Sequence, residues 1–203
     1  METNVITVTR QFGSMGRPIA RAVAKKMGYE YYDRDIIDAT ASKLSIPIEK
    51  YLGMSEKKLS KYDKMIYPLG IGDAIKQDKI FQAEKEVILN LASKKNCIVV
   101  GRCSDYIMHT AGHKNLFSVF IYAPHEMRKR FCVRELGIKP ESADDYIVRV
   151  DSGRAEFYKR QTGEDFLSGR YRNLMLDSSF IPLNEIVDII CKVAEYKFQT
   201  KSS

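Results

Sequence analysis

Between Val5 and Arg17 the chain reads Val-Ile-Thr-Val-Thr-Arg-Gln-Phe-Gly-Ser-Met-Gly-Arg, a β-branched run that opens into a loop with two glycines and a basic end. That order of residue types suits the binding of an anion. Glycines at 13 and 16 let backbone N–H groups turn toward a phosphate, and the unpaired amides of a following helix add positive potential. Pro18 fits a first helical turn, where its missing N–H costs nothing. Ile19, Val23 and Met27 then recur on one helical face. Against the phosphate-loop pattern G-x-x-x-x-G-K-[ST], Gln11 stands at the first glycine, Arg17 at the lysine and Pro18 at the hydroxyl. Spacing alone leaves two readings open. One is a phosphate cradle made of Gln11, Gly13, Ser14, Met15, Gly16, Arg17 and Pro18; the other is an ordinary strand–turn–helix connection.

Further charged groups sit where strands are expected to end. Asp33 can cap the helix that follows it. Arg34 is disfavoured at a helix start and so needs an anion, either a neighbouring aspartate or an acceptor's phosphate. Arg102 and Asp105 follow an apolar strand and suit an acceptor's phosphate and its base or sugar; the competing reading is an i,i+3 ion pair between them. Arg149, Arg154 and Arg160 lie on one predicted helix. Arg149 and Arg160 share a face, with Arg154 about 140° away from Arg149. A straight helix cannot aim all three at one phosphate, so either Gly153 bends it or one arginine is structural. For Arg17 the competing reading is a helix-start residue paired with a surface acid.

The elements that must position these groups alternate. Strands are expected at Val5–Thr9, near Glu30–Tyr32, and at Cys97–Val100, Leu116–Tyr122 and Asn173–Leu176. Helices are expected after Pro18 and over Arg34–Leu44, Lys76–Ser93, Pro124–Leu136, residues 137 to about 159, and from Leu183 onward. Such alternation predicts a parallel sheet with helices on both faces. Ligands of these sheets bind at the carboxyl ends of strands, which gathers Gly13–Arg17, Asp33–Arg34 and Gly101–Asp105 on one rim. Residues 45–75 break the rhythm and read as a mobile insert over the site.

Several runs together resemble the cytidylate kinase-like proteins. They are Thr9 to Ala20, Tyr31-Tyr32-Asp33-Arg34-Asp35-Ile36-Ile37, Val99 to Ile107, Ala123 to Arg128, Asp151 to Gly163, and Leu174 to Ser178. Met15 departs from the usual glycine and puts a side chain in the loop. The resemblance implies a single P-loop kinase-type α/β domain, a three-layer parallel sheet flanked by helices. Its core covers about 1–44, 76–136 and 173–200, with an acceptor-binding insert at about 45–75 and an arginine-bearing lid at about 137–172. It implies ATP and Mg²⁺ as cofactors and a small nucleotide acceptor, CMP or dCMP first. Arg17, Arg154 and then Arg149 would serve the transferring phosphates, while Asp33, Arg34, Arg102, Asp105 and Arg160 would serve the acceptor. No residue is assigned as a metal ligand. Pro18 offers no hydroxyl, so Mg²⁺ is expected to arrive on the nucleotide.

Composition narrows the alternatives. A net charge of +7 without a basic, aromatic-interleaved module suits a polyphosphate ligand better than nucleic acid. No apolar run approaches the ~20 residues of a membrane span, and no basic-then-apolar leader opens the chain, so a cytoplasmic protein is expected. The four cysteines form no C-x-x-C pair, which argues against structural zinc. His109 and His113 have helical metal-pair spacing, but Gly112 between them predicts a turn. Two rivals to a nucleotide kinase stand. The first is a nucleotide-binding sensor or partner-binding protein without turnover, suggested by Gln11, Met15 and Pro18. The second is a kinase of the same fold for a non-nucleotide acceptor. The sequence is silent on oligomeric state.

Overall fold

The computed structural model describes residues 3–33, 35–45 and 74–199. Five strands form one parallel sheet: β1 (Val5–Arg10), β2 (Glu30–Tyr32), β3 (Cys97–Val100), β4 (Leu116–Tyr122) and β5 (Leu174–Asp177), in the order β2-β3-β1-β4-β5. Among the described residues the helices are α1 (Gly16–Met27), α2 (Asp35–Lys43), α3 (Ala74–Ala92), α4 (Ser104–Thr110), α5 (His125–Arg134), α6 (Pro140–Thr162) and α7 (Leu183–Gln199). The expected strands are all present, the last displaced by one residue. The expected turn at Gly112 is present, and the short helix α4 ends before it: His109 lies in its last turn and His113 beyond the turn. Both rings have other partners, Tyr171 for His109 and the Thr3 carbonyl for His113. Arg34 and nearly all of the expected insert at 45–75 lie outside the described residues.

The alternation of side chains across the central strands builds the two covered faces. Ile6, Val8, Ile98, Val100, Phe117, Val119 and Ile121 turn to one side and pack against Ile19 and Val23 of α1 and Ile186 and Ile190 of α7. Val5, Cys97, Val99, Leu116 and Phe120 turn to the other, against Ile36, Phe81, Ile88, Ile107 and Phe157. A smaller cluster joins Phe12, just past β1, to Cys132 of α5 and to Ile138, Ala143, Ile147 and Val150 around the start of α6. The residue after β1 is thereby tied to a helix pair far along the chain. The four cysteines are buried and free of disulfides. No helix among the described residues is long and apolar enough to cross a membrane.

Candidate active site at the carboxyl ends of the strands

With all strands parallel, β1, β2 and β3 release their chains on the same rim, and the glycine loop, Asp33 and the Gly101–Cys103 turn meet there. Residues 11–15 form the loop between β1 and α1. Its shape is imposed from outside. Gln11 N–H donates to the Ile121 carbonyl at 3.0 Å, and the Gln11 amide oxygen accepts from Ala123 N–H at 3.3 Å. Phe12 N–H donates to Asp151 Oδ1 at 2.8 Å, and Arg128 Nη1 donates to the Phe12 carbonyl at 3.1 Å. The Ser14 hydroxyl is buried and donates toward the carbonyls of Gln11 and Ile121 at 3.0 and 3.1 Å; the Ser178 hydroxyl donates to the Ser14 carbonyl at 2.8 Å. Ser14 therefore braces the loop.

Met15 sits at the N-cap of α1 with φ 62°, a left-handed conformation that a glycine takes freely and that costs other residues about 1–2 kcal/mol. Its side chain packs against the sheet-and-helix core while also forming part of the pocket wall, which explains how the loop accommodates it. Gly16 opens the helix, and Ile19 N–H donates back to the Met15 carbonyl at 3.0 Å. Pro18 therefore gives up no intrahelical bond.

Gly13 has φ +77°, and a Cβ there would lie 2.8 Å from the Arg128 carbonyl oxygen and 2.9 Å from Cys132 Sγ. Gly13→Ala should therefore lower stability by about 2–4 kcal/mol, combining left-handed strain with overpacking. Urea unfolding measures this, and a loss under 0.5 kcal/mol would mean that the loop is not clamped as described.

Charge concentrates around Asp33. Arg17 Nε lies 2.7 Å from Asp33 Oδ2 and Arg17 Nη2 donates to Oδ1 at 3.3 Å, while Arg10 Nη2 lies 3.9 Å from Oδ1. Burial opposes ionisation of Asp33, but Arg10 and Arg17 outweigh it and hold its carboxyl below the usual range. Arg154, in the middle of α6, donates from Nη1 to the Arg10 carbonyl at 2.9 Å and lies 3.8 Å from Asp151, which also pairs with Arg128. Burial brings the Arg154 guanidinium down to about 10, with Asp151 opposing that shift and Arg17 adding to it. Arg10, Gly13, Met15, Gly16, Arg17 and Arg154 contribute to the walls of a cavity of about 100 Å³ beside the loop.

The other expected site residues fall elsewhere. α6 is one unbroken helix, so Gly153 does not bring the three arginines together. Only Arg154 reaches the cavity: Arg149 lies exposed over the Tyr146 ring and Arg160 pairs with Asp78 at 3.2 Å. Arg102 does not pair with Asp105. It occupies the middle of three successive left-handed residues, Gly101, Arg102 and Cys103, and pairs with buried Glu84 at 2.7 Å. Asp105 lies beneath the rim, 1% exposed. It accepts from the hydroxyls of Thr9 at 3.1 Å and Tyr158 at 3.2 Å, and faces the buried Arg172 guanidinium at 3.5 Å. Its carboxylate joins β1, α4 and α6 rather than facing the cavity.

Sequence reasoning passed over Arg10, Asp151 and Ser178 as site residues, although each lay within a run already singled out. The expected strand stops at Thr9, one residue short of Arg10, and Asp151, three residues before Arg154, has the spacing of an ordinary surface pair. Only the parallel pairing of β1 with β3 and β4 shows what they touch.

The cavity brings three guanidinium side chains, Arg10, Arg17 and Arg154, to the glycine loop. For a divalent cation the picture differs: among the described residues no group of three His, Cys, Asp or Glu side chains could hold one.

Comparisons agree on the architecture. A protein from Eubacterium ventriosum of uncharacterised function superposes with a TM-score of 0.71 at 16% identity, covering 95% of this chain and 99% of its own. A shikimate kinase from Bacteroides thetaiotaomicron gives 0.55 at 13%, covering 95% and 98%. A gluconokinase from Sinorhizobium meliloti gives 0.53 at 18%, covering 98% of both chains. At these identities the likeness is one of fold, the helix-flanked parallel sheet of P-loop kinases. No curated protein matches the sequence. The sequence profile of the cytidylate kinase-like family matches residues 5–180, most of the chain and every element of the rim, and the protein belongs to that family.

Proposed function

We propose that the protein transfers the terminal phosphoryl group of ATP to a small acceptor, a nucleoside monophosphate, with CMP and dCMP the first candidates. The observation that carries the reading is the convergence of Arg10, Arg17 and Arg154 on the glycine loop at the end of β1. Phosphoryl transfer asks the protein for alignment and positive charge rather than covalent chemistry. In this reading the loop amides and Arg17 hold the donor phosphates, and Arg154 faces the charge that builds during transfer. Asp33 and Arg102 border the acceptor side. Mg²⁺ neutralises phosphate charge when bound and comes with the nucleotide, consistent with Pro18 at the hydroxyl position. Asp105 is assigned to holding the rim together.

A second reading keeps the donor site and changes the acceptor to a non-nucleotide metabolite. It is favoured by the fold likeness to a shikimate kinase and a gluconokinase. An ADP-release assay with ATP, Mg²⁺ and a panel of nucleoside monophosphates, polyols and hydroxy acids decides between them. Release stimulated by CMP or dCMP at least tenfold over the acceptor-free rate supports the first reading, and stimulation by a polyol or hydroxy acid alone supports the second. Binding of ATP without acceptor-dependent release would favour a sensor instead.

A further inference from the structure

We propose that Arg10 is the innermost contact of a phosphoryl dianion, and that Gly16 and Gly101 lack side chains because its own passes between them. The inference rests on the kinase reading but concerns a residue that the phosphate-loop pattern does not contain.

Arg10 ends β1, the central strand, and its side chain runs between two turns. A Cβ at Gly16 would lie 2.6 Å from Arg10 Cβ, and one at Gly101 would fall on Arg10 Nη1. The start of α1 and the end of β3 are thus both shaped around one arginine. The side chain is only 13% exposed, yet among the described residues it donates no hydrogen bond. The one carboxylate near it among the described residues, Asp33, stands at 3.9 Å, beyond hydrogen-bonding distance. A guanidinium carries five N–H donors in a fixed fork and keeps its charge, so one that lines the cavity without a protein acceptor is free to grip an anion there. Burial, then Arg154 and Arg17, lowers its proton affinity well below the ordinary value. The local count points the same way. Among the described residues Arg10, Arg17, Arg128 and Arg154 face Asp33 and Asp151, four cations against two anions. The excess of two positive charges matches a phosphate monoester, which carries about −1.5 to −2 at neutral pH. The cavity, at about 100 Å³, is smaller than the ~300–1,000 Å³ typical for a whole organic ligand. It suits the phosphoryl end of a molecule whose remainder lies outside.

The dianion has two possible sources, the phosphate of an acceptor on the Gly101 side or the terminal phosphate of the donor on the Gly16 side. Calorimetric titration of CMP, of inorganic phosphate and of the non-hydrolysable ATP analogue AMP-PNP with Mg²⁺ distinguishes them. The proteins are the wild type, Arg10→Gln and, as a surface control on α1, Lys25→Gln. The expected result is a loss of 30-fold or more in Arg10→Gln. A loss for CMP and phosphate with AMP-PNP retained assigns the acceptor; the converse assigns the donor. Lys25→Gln should stay within twofold throughout.

If the wild type binds AMP-PNP but neither CMP nor phosphate, and Arg10→Gln binds AMP-PNP equally well, this inference fails while the kinase reading stands. If the wild type binds none of the three, both fall. Equal affinities in Arg10→Gln and the wild type for whichever probes bind also overturn it. Should Arg10→Gln not fold, Arg10→Lys provides the same reading, because it keeps the charge and loses the fork. A tenfold loss supports the contact, and affinities within twofold overturn it.

Discussion

Asp105→Ala is expected to cost about 3–5 kcal/mol of unfolding free energy, a large share of a small domain's stability. The substitution leaves the Arg172 guanidinium, 0% exposed, without its only anionic neighbour among the described residues. None of the three guanidinium nitrogens donates a hydrogen bond there, so the charge is held by Asp105 and by aromatic faces. Phe120, Tyr158 and Phe166 lie 4.0, 5.4 and 5.6 Å from it, measured to the ring centroids. Asp105→Ala also removes the acceptor of the Thr9 and Tyr158 hydroxyls. Burial, and then the Asp105 charge, pushes the Tyr158 phenol above its ordinary range, so it remains a donor seeking an acceptor. Removing both charges should do less harm than removing one. Asp105→Asn combined with Arg172→Met is expected to unfold at a higher urea concentration than Asp105→Ala. A loss below 1 kcal/mol for Asp105→Ala would show that the aromatic enclosure alone satisfies Arg172.

Arg154→Gln is expected to lower turnover about 100-fold or more, the scale seen when one preorganised donor to transition-state charge is removed. Arg149→Gln, five residues earlier on the same helix, is expected to lose less than threefold, because its guanidinium lies over Tyr146 on the exposed side. The comparison needs an acceptor that supports turnover and separate values of kcat and KM. An effect confined to kcat assigns Arg154 to the transfer step, whereas a rise in KM alone assigns it to ground-state binding. If folded Arg154→Gln keeps more than a fifth of the wild-type turnover, Arg154 has no part in transfer.

The sheet and its rim were legible because their signals are local. The unbroken apolar runs Cys97–Val100 and Val119–Ile121 suited strands covered on both faces, and the glycine loop announced a turn at the end of β1. The partners of individual side chains were not legible, since they depend on which strands lie side by side. Arg102 and Asp105, three apart, invite pairing along a helix. Three successive left-handed residues send Arg102 to Glu84 instead, and Asp105 turns under the sheet to Thr9. Helical arithmetic correctly separated Arg149 from Arg154 but did not say which faced inward. The apolar residues Ile147, Val150 and Phe157 decide that, because their burial turns Arg154 toward β1. Arg10 was hidden for the opposite reason: a charged residue at a strand end is unremarkable until the glycines beside it are seen to make room for it.

The bracing of residues 11–15 has a consequence for how the chain acquires its cradle. Phe12 is fastened to Asp151, Ser14 to Ile121, and Ser178 to the Ser14 carbonyl, across separations of 139, 107 and 164 residues. Contacts this distant in sequence form late, because a long loop must be closed before they return any energy. During synthesis the glycine motif leaves the ribosome well before its braces, which arrive only with β4, α6 and the end of β5. The segment that most clearly announces the fold is thus one of the last to take its final shape, and a growing chain carries the glycine motif long before the loop it forms is braced.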